Sequence, residues 1–271
     1  MAAAIDAISE DVLRNIIARL PATSFASAAC VSRSFNLVCE RFLCRPKLAS
    51  ACSFIPSLQV VNKVLSEPIR PHFAIASVIG YYCYEDGLEV AHQLITRALG
   101  THVPVITDRP SGVIGTDAFS DDFQEDESDA IMLLVGYLPG LKVATIPLLK
   151  QIQEPETVMI DEFVTDIREF STSVSRCNSP AAIIMLSNYY KGIKDVTEKL
   201  DHAMSPKTVI VGNTSCRFRF TNDGRFGTSA AVALVFAVDR NKPPGNIKIY
   251  IFGYIYKHWF IKKTQKSTSN C

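Results

Sequence analysis

This chain of 271 residues lacks the usual markers of catalysis or metal binding. No Cys-x-x-Cys pair occurs: the eight cysteines stand at positions 30, 39, 44, 52, 83, 177, 216 and 271. The five histidines, at 72, 92, 102, 202 and 258, form no ligand-spaced cluster with them, so the sequence predicts neither a metal nor a cofactor. Scattered cysteines of this kind read as small buried hydrophobes kept reduced inside a cell. No Ser/His/Asp, Cys/His or phosphate-cradling glycine pattern appears in its required context, and no residue is nominated for catalysis. The longest apolar runs, such as Ala130–Leu138 and Ala230–Val238, are nine residues long. A membrane-spanning helix needs roughly 20. Charge of one sign is also missing: 28 Lys and Arg face 27 Asp and Glu, which disfavours a general nucleic-acid binder. Asp6, Glu10 and Asp11 precede any long apolar run, unlike a secretory leader. The expectation is a soluble protein of the cytoplasm, the nucleus or both.

What is present is apolar material, 48% of the chain, enough for a sizeable core. Ile8, Val12, Leu13, Ile16, Ile17 and Leu20 recur at three- and four-residue steps, the spacing of one helical stripe. Ser9 is placed to cap this helix, Glu10 and Asp11 suit its positive end, and Pro21 stops it. A second helix restarts at Thr23 or Ser24 and carries Phe25, Ala28, Ala29 and Val31. A third follows Ser32 through Phe35, Leu37, Val38, Phe42 and Leu43, and Pro46 ends it. Three short helices cannot bury so much apolar surface among themselves; below about 70 residues a lone core rarely supplies more than about 3–5 kcal/mol. Part of the stripe must face the rest of the chain or another protein.

The run from Ile8 to Pro21 resembles the opening of the F-box family, roughly Leu-Pro-x-Glu-hydrophobic-Leu-x-x-Ile-Leu-x-x-Leu-Pro. Ala28 to Asn36 looks like that family's Val-Ser-Lys/Arg-x-Trp stretch, with Ser9 for its proline and Phe35 for its tryptophan. The resemblance implies a helical module that pairs with a Skp-type adaptor and so joins a cullin–RING ubiquitin ligase. The positions matching the family's adaptor-facing residues are Ile8, Val12, Ile16, Leu20, Pro21, Phe25 and Val31.

After residues 1–50, residues 51–71 read as a linker holding one short helix near Pro56–Leu65. Residues 72–245 read as a layered α/β domain with helices covering a sheet, so the whole is an α+β or α/β chain with a helical module in front. Phe73–Gly80 is a buried-type strand, Gly87–Leu99 a helix and Val103–Ile106 a short strand. The order returns at Ala181–Leu186, Ile193–Met204 and Thr208–Gly212, with Tyr81-Tyr82 and Tyr189-Tyr190 following the first strand of each set. This is either a diverged duplication or common α/β grammar. Between the sets lie strands at Ala130–Val135 and Lys142–Ile146 and a helix near Pro155–Ser171. The layout resembles the FIST family, an intracellular sensory domain joined to an F-box in some proteins. Ser111-Gly112-Val113-Ile114-Gly115 is similar to its Ser-x-x-Gly-Ile-Ile-Gly neighbourhood, with one spacing changed. That resemblance implies binding of small ligands or protein targets, and makes Ser111, Gly112, Gly115 and Gly212 candidate ligand contacts. Plain turn chemistry also accounts for the glycines.

The acids from Asp117 to Asp129 lack the central glycine of a calcium loop and read as a solvated loop. Cys216–Phe220 alternates basic and aromatic residues, as one edge strand does. Fifteen of the eighteen residues from Asn246 to Lys263 are Asn, Ile, Lys, Tyr or Phe, all written by A/T-rich codons. This composition predicts that the reading frame is lost near Gly245, most simply through a retained intron, which would leave the α/β domain C-terminally incomplete and 246–271 as an atypical tail. A hairpin strand is the alternative, since Ile247, Ile249 and Ile251 alternate. Three functions follow as expectations: foremost a non-catalytic substrate receptor of a ubiquitin ligase, then a small-ligand sensor with vestigial adaptor binding, then an α/β enzyme with an unrecognised site.

Overall fold

The computed structural model describes residues 9–54, 59–80, 85–120, 122–149, 156–222, 225–227, 229–242 and 259–261. Its first three helices are α1 (Glu10–Ile17), α2 (Ala22–Ala29) and α3 (Arg33–Phe42). Ser9 caps α1, its side chain accepting from the Val12 N–H at 3.4 Å, and Glu10 and Asp11 occupy the first turn. Ser32 caps α3 in the same way, accepting from the Phe35 N–H at 3.3 Å. Leu13, Ile17, Phe25, Val38 and Cys39 close a small core, in which the Phe25 and Phe42 rings meet edge-on at 6.4 Å. Arg41 of α3 pairs with Glu10 of α1 across the outside. The module rests on the body through Ala22 and Leu43, and the Tyr137 hydroxyl donates to the Leu43 carbonyl at 2.8 Å.

The body begins with β1 (Lys47–Ser53) and α4 (Gln59–Leu65), then β2 (Phe73–Ile79), α5 (Glu85–Leu99), β3 (Val105–Arg109), β4 (Val113–Thr116), β5 (Phe123–Asp126) and β6 (Ala130–Tyr137). It continues with β7 (Leu141–Leu148), α6 (Glu156–Ser175), β8 (Ala182–Ser187), α7 (Ile193–Ala203), β9 (Val209–Asn213), β10 (Arg217–Asn222), β11 (Arg225–Gly227), β12 (Ala231–Val238) and β13 (Trp259–Ile261). One sheet has the order β1-β6-β2-β3-β10-β11 and the other β13-β9-β8-β12-β7; β4 and β5 form a separate hairpin.

The two sheets face each other. Phe73, Ile75, Ile106, Phe218 and Phe220 of the first interdigitate with Ile184, Leu186, Val232, Leu234 and Phe236 of the second. The Phe73 and Phe236 rings cross at 5.1 Å and 89°. Helices α4 and α5 cover the outer face of the first sheet, while α6 and α7 cover that of the second. The result is helix, sheet, sheet, helix. Burial on both faces explains why β2, β6, β8 and β12 are continuous apolar runs rather than alternating ones.

The fold class is therefore mixed α and β, a helical module followed by a sheet-rich domain. Three details correct the expectations from sequence. The layered domain holds two stacked sheets where helices over one sheet were expected. The stretch 51–71 is no linker: β1 pairs with β6 along Lys47–Ser53, and Val60, Val61 and Val64 of α4 are core. Within Cys216–Phe220, Arg217 to Phe220 belong to β10, which is held between β3 and β11 and is not an edge strand. The tail expectation falls almost wholly outside the described residues; β13 lies within it and pairs antiparallel with β9.

The repeat is complete in topology. Strand, helix, strand, helix, strand, hairpin, strand runs from β1 to β6 and again from β7 to β12. Both copies make the same pairings: the first strand antiparallel to the last, the last antiparallel to the second, the second parallel to the third. The sequence match is nonetheless out of phase. Aligning the two Tyr-Tyr pairs equates Ala74 with Ala182, yet Ala74 faces the helices and Ala182 faces the opposite sheet. A shift of one residue turns every side chain to the other face.

Candidate functional site

Two places concentrate chemistry that the fold alone does not require. The first is the outer half of the α1 stripe. Leu13 and Ile17 point into the three-helix core, while Val12 and Ile16, one step around the helix, are 50% and 46% exposed. Val31, in the turn before α3, is 59% exposed and Leu37 of α3 is 51% exposed. Val12 and Ile16 are four residues apart and so stand one above the other on a single face. An apolar face of this kind loses free energy in water at roughly 25 cal/mol per Å², which a partner recovers by covering it.

The seven positions expected to meet an adaptor divide accordingly. Val12, Ile16, Val31 and Pro21 are exposed, and Leu20 is half-buried against the module's core. Ile8 lies outside the described residues. Phe25 is 4% exposed and packs on Phe42 inside the module, so its side chain holds the helices together instead of reaching outward. Helical period cannot tell a residue buried in its own core from one waiting for a partner's. Leu37 is the exposed apolar residue that the sequence reading named only as part of α3.

The second place is a cleft of about 440 Å³ at the carboxyl ends of β3, β8 and β9, lined by Arg109, Pro110, Ser111, Tyr189, Asn213, Ser215 and Arg217. Arg109 and Arg217 are direct partners across the β3–β10 ladder. Tyr189 is 69% exposed and holds a left-handed backbone, φ 48°, which costs a non-glycine residue free energy. The Asn213 side-chain oxygen accepts from the Ser215 N–H at 3.0 Å, shaping the turn that leads to Arg217. A shallow depression of about 470 Å³ on the solvent face of α6, beside Arg168 and Glu169, brings no such set together.

Immediately before the cleft's first lining residue, Asp108 is wholly buried. It accepts from the Ser77 hydroxyl at 2.6 Å through one oxygen, and its other oxygen has no hydrogen-bond partner among the described residues. Burial raises its pKa to about 7, against the opposing effect of the Ser77 hydrogen bond. Of the candidate ligand contacts, Ser111 alone lines the cleft. Gly115 serves packing of the β4 strand, where a Cβ would sit 2.2 Å from the Cys52 sulfur, and Gly112 lies just before that strand beside Glu127, 3.3 Å from where a Cβ would stand. Gly212 is required because the Met185 carbonyl of the parallel neighbour leaves 1.8 Å for a Cβ.

A buried polar network went unread in the sequence. The His92 ring on α5 hydrogen-bonds Thr107 of β3 through Nδ1 and Thr221 of β10 through Nε2, both at 2.8 Å. Thr145 of the facing sheet donates to the Thr221 carbonyl at 2.7 Å. Burial pushes the His92 pKa down to about 4, so the ring is neutral and one nitrogen can accept. The four residues are scattered along the chain, and each taken alone resembles an ordinary surface polar.

Residues 5–47 match the family model described as the F-box domain, which places α1, α2 and α3 in that class. Along most of its length the chain is similar to an F-box/LRR-repeat protein of Arabidopsis thaliana: 38% identical over 266 residues, covering 88% of this chain and 49% of that protein. The chain thus spans about half the length of the curated relative it matches. A leucine-rich repeat solenoid stacks one strand per repeat of about 20–29 residues in parallel. Among the described residues the sheets contain only two parallel pairs, β2·β3 and β8·β9, so these residues of the chain do not form such a solenoid.

Proposed function

We propose that this chain is the substrate-receiving subunit of a cullin–RING ubiquitin ligase, itself non-catalytic, acting in the cytoplasm, the nucleus or both. The F-box module docks a Skp-type adaptor, and the four-layer body, which resembles the FIST family, presents a target for ubiquitination. The observation that carries the proposal is the exposure of Val12, Ile16 and Val31 on a module that matches the F-box domain. Docking of a helix through spaced apolar anchors accounts for such a face. The tagged full chain should co-purify a Skp-type adaptor from cells, and Val12→Asp should abolish recovery while leaving the chain folded. Equal recovery with Val12→Asp removes the proposal.

The cleft favours a second reading, in which the body is a sensor of a small ligand and adaptor binding is vestigial. Adaptor recovery in the test above separates the two.

A further inference from the structure

The geometry points to the cleft between Arg109 and Tyr189 as a binding site for a small ligand bearing a compact oxyanion, a carboxylate or a phosphate. This deepens the second reading of the body and is independent of the adaptor face.

Position is the first argument. In α/β sheets, ligands collect beyond the carboxyl ends of parallel strands, where neighbouring connections diverge. Here the parallel pairs are β2·β3 in one sheet and β8·β9 in the other. The cleft draws lining residues from just beyond β3, β8 and β9, so both copies of the repeat open into one space. Its volume, about 440 Å³, falls within the roughly 300–1,000 Å³ range of small-molecule sites.

Chemistry is the second. Arg217 and Arg109 stand directly opposite in an antiparallel ladder, on the same face of the sheet. Residues so placed have Cβ atoms about 4.5–5.5 Å apart, and like charges there repel. Both arginines also interact elsewhere within the chain. An oxyanion seated between them converts repulsion into two charge-assisted hydrogen-bonding arms, and the planar fork of arginine suits carboxylate and phosphate alike. Ser111 adds an exposed hydroxyl at the rim, able to donate to the same oxygens; the exposed Ser215 hydroxyl donates to the Asn213 side-chain oxygen at 3.4 Å and must turn from that long bond to join it.

Strain is the third. Only Arg176 and Tyr189 hold a positive φ among the described non-glycine residues, and Tyr189 is the one in a cleft. Its exposed ring stands at the mouth, where it can cover the body of a ligand whose anionic end lies on the arginines. Polar and charged side chains from Arg109, Ser111, Asn213, Ser215 and Arg217 share the lining with Pro110 and the Tyr189 ring, which suits a ligand with an anionic end and a small apolar body.

The test uses the full chain with two probes, inorganic phosphate and succinate, at ionic strength held constant with chloride. Thermal unfolding and titration calorimetry are read for the wild type, Arg217→Gln and Ser215→Ala. Saturable binding and a raised midpoint are expected with phosphate, succinate or both, and the responding probe identifies the oxyanion class. Arg217→Gln should weaken that binding at least tenfold, and Ser215→Ala about twofold to fivefold. Adaptor recovery should be unchanged in both variants, so failure here leaves the docking proposal standing. No response to either probe beyond the chloride control, or binding that Arg217→Gln leaves intact, overturns the assignment.

Discussion

The three-helix module and the four-layer body solve the same problem differently. In the body, every residue of β2 and of β8 is buried, because each sheet has another sheet on one side and helices on the other. In the module, α1 carries an equally apolar stripe but buries only half of it. Four of the twelve exposed large apolar side chains among the described residues, Val12, Ile16, Val31 and Leu37, fall within this short segment. Layer number is the cause. A helix packed on two neighbours hides two adjacent columns of side chains at most, and the body closes its surplus with further layers that the module lacks. The leftover face is where a partner fits.

The largest expected effect separates core from face within the module. Phe25→Ala should cost about 3–5 kcal/mol, as deletion of a buried phenylalanine does, and melt α1 to α3 as measured by regional hydrogen exchange. Ile16→Asp, on the outer column, should shift stability within about 0.5 kcal/mol while disrupting adaptor docking. If both substitutions unfold the module equally, the division of the stripe is wrong.

A second contrast is pH. His72 and His92 of the body are held near pKa 4, below the ordinary 6.5, chiefly by burial. Between pH 6.5 and 4 the unfolded chain takes up protons that the fold refuses, so body stability falls as pH falls through that window. Asp108, raised from 3.8 to about 7, acts in the opposite sense: the fold keeps a proton that the unfolded chain has lost, so stability declines as pH rises from about 4 to 7. Two histidines against one carboxyl leave a net gain with pH from 4 to 6.5. Asp108→Asn should steepen that gain and remove the decline toward pH 7, read as denaturant midpoints across the range. The described module contains no histidine, and its exchange protection should lack this dependence.

The smallest effect concerns the start of α1. Ser9→Ala removes the side-chain acceptor for the Val12 N–H and should cost about 1 kcal/mol, visible as faster exchange confined to the first turn.

Much of this architecture was legible in the chain. Ser9 and Ser32 announced the starts of α1 and α3, and runs such as Ala130–Val135 and Ala181–Leu186 announced buried strands, because caps and apolar continuity are local properties. Strand β1 was not legible: Lys47–Ser53 contains alanine, serine and cysteine where β-branched residues would have signalled a strand, and its register comes wholly from β6, far along the chain. The second sheet was hidden for the same reason, since pairing is nonlocal. Of the cleft, the sequence nominates only Ser111 as a ligand contact, through a resemblance, while Tyr189 enters as half of a Tyr-Tyr pair and Arg217 within an alternating stretch. Arg109 and Arg217 lie far apart in sequence and meet only across a ladder.

The division of the α1 stripe is tested most directly by titrating a purified Skp-type adaptor into the full chain by calorimetry, for the wild type and for Ile16→Asp. Saturable one-to-one binding by the wild type, weakened at least a hundredfold in the variant with its thermal midpoint unchanged, is the predicted result. Wild-type affinity in Ile16→Asp would contradict it.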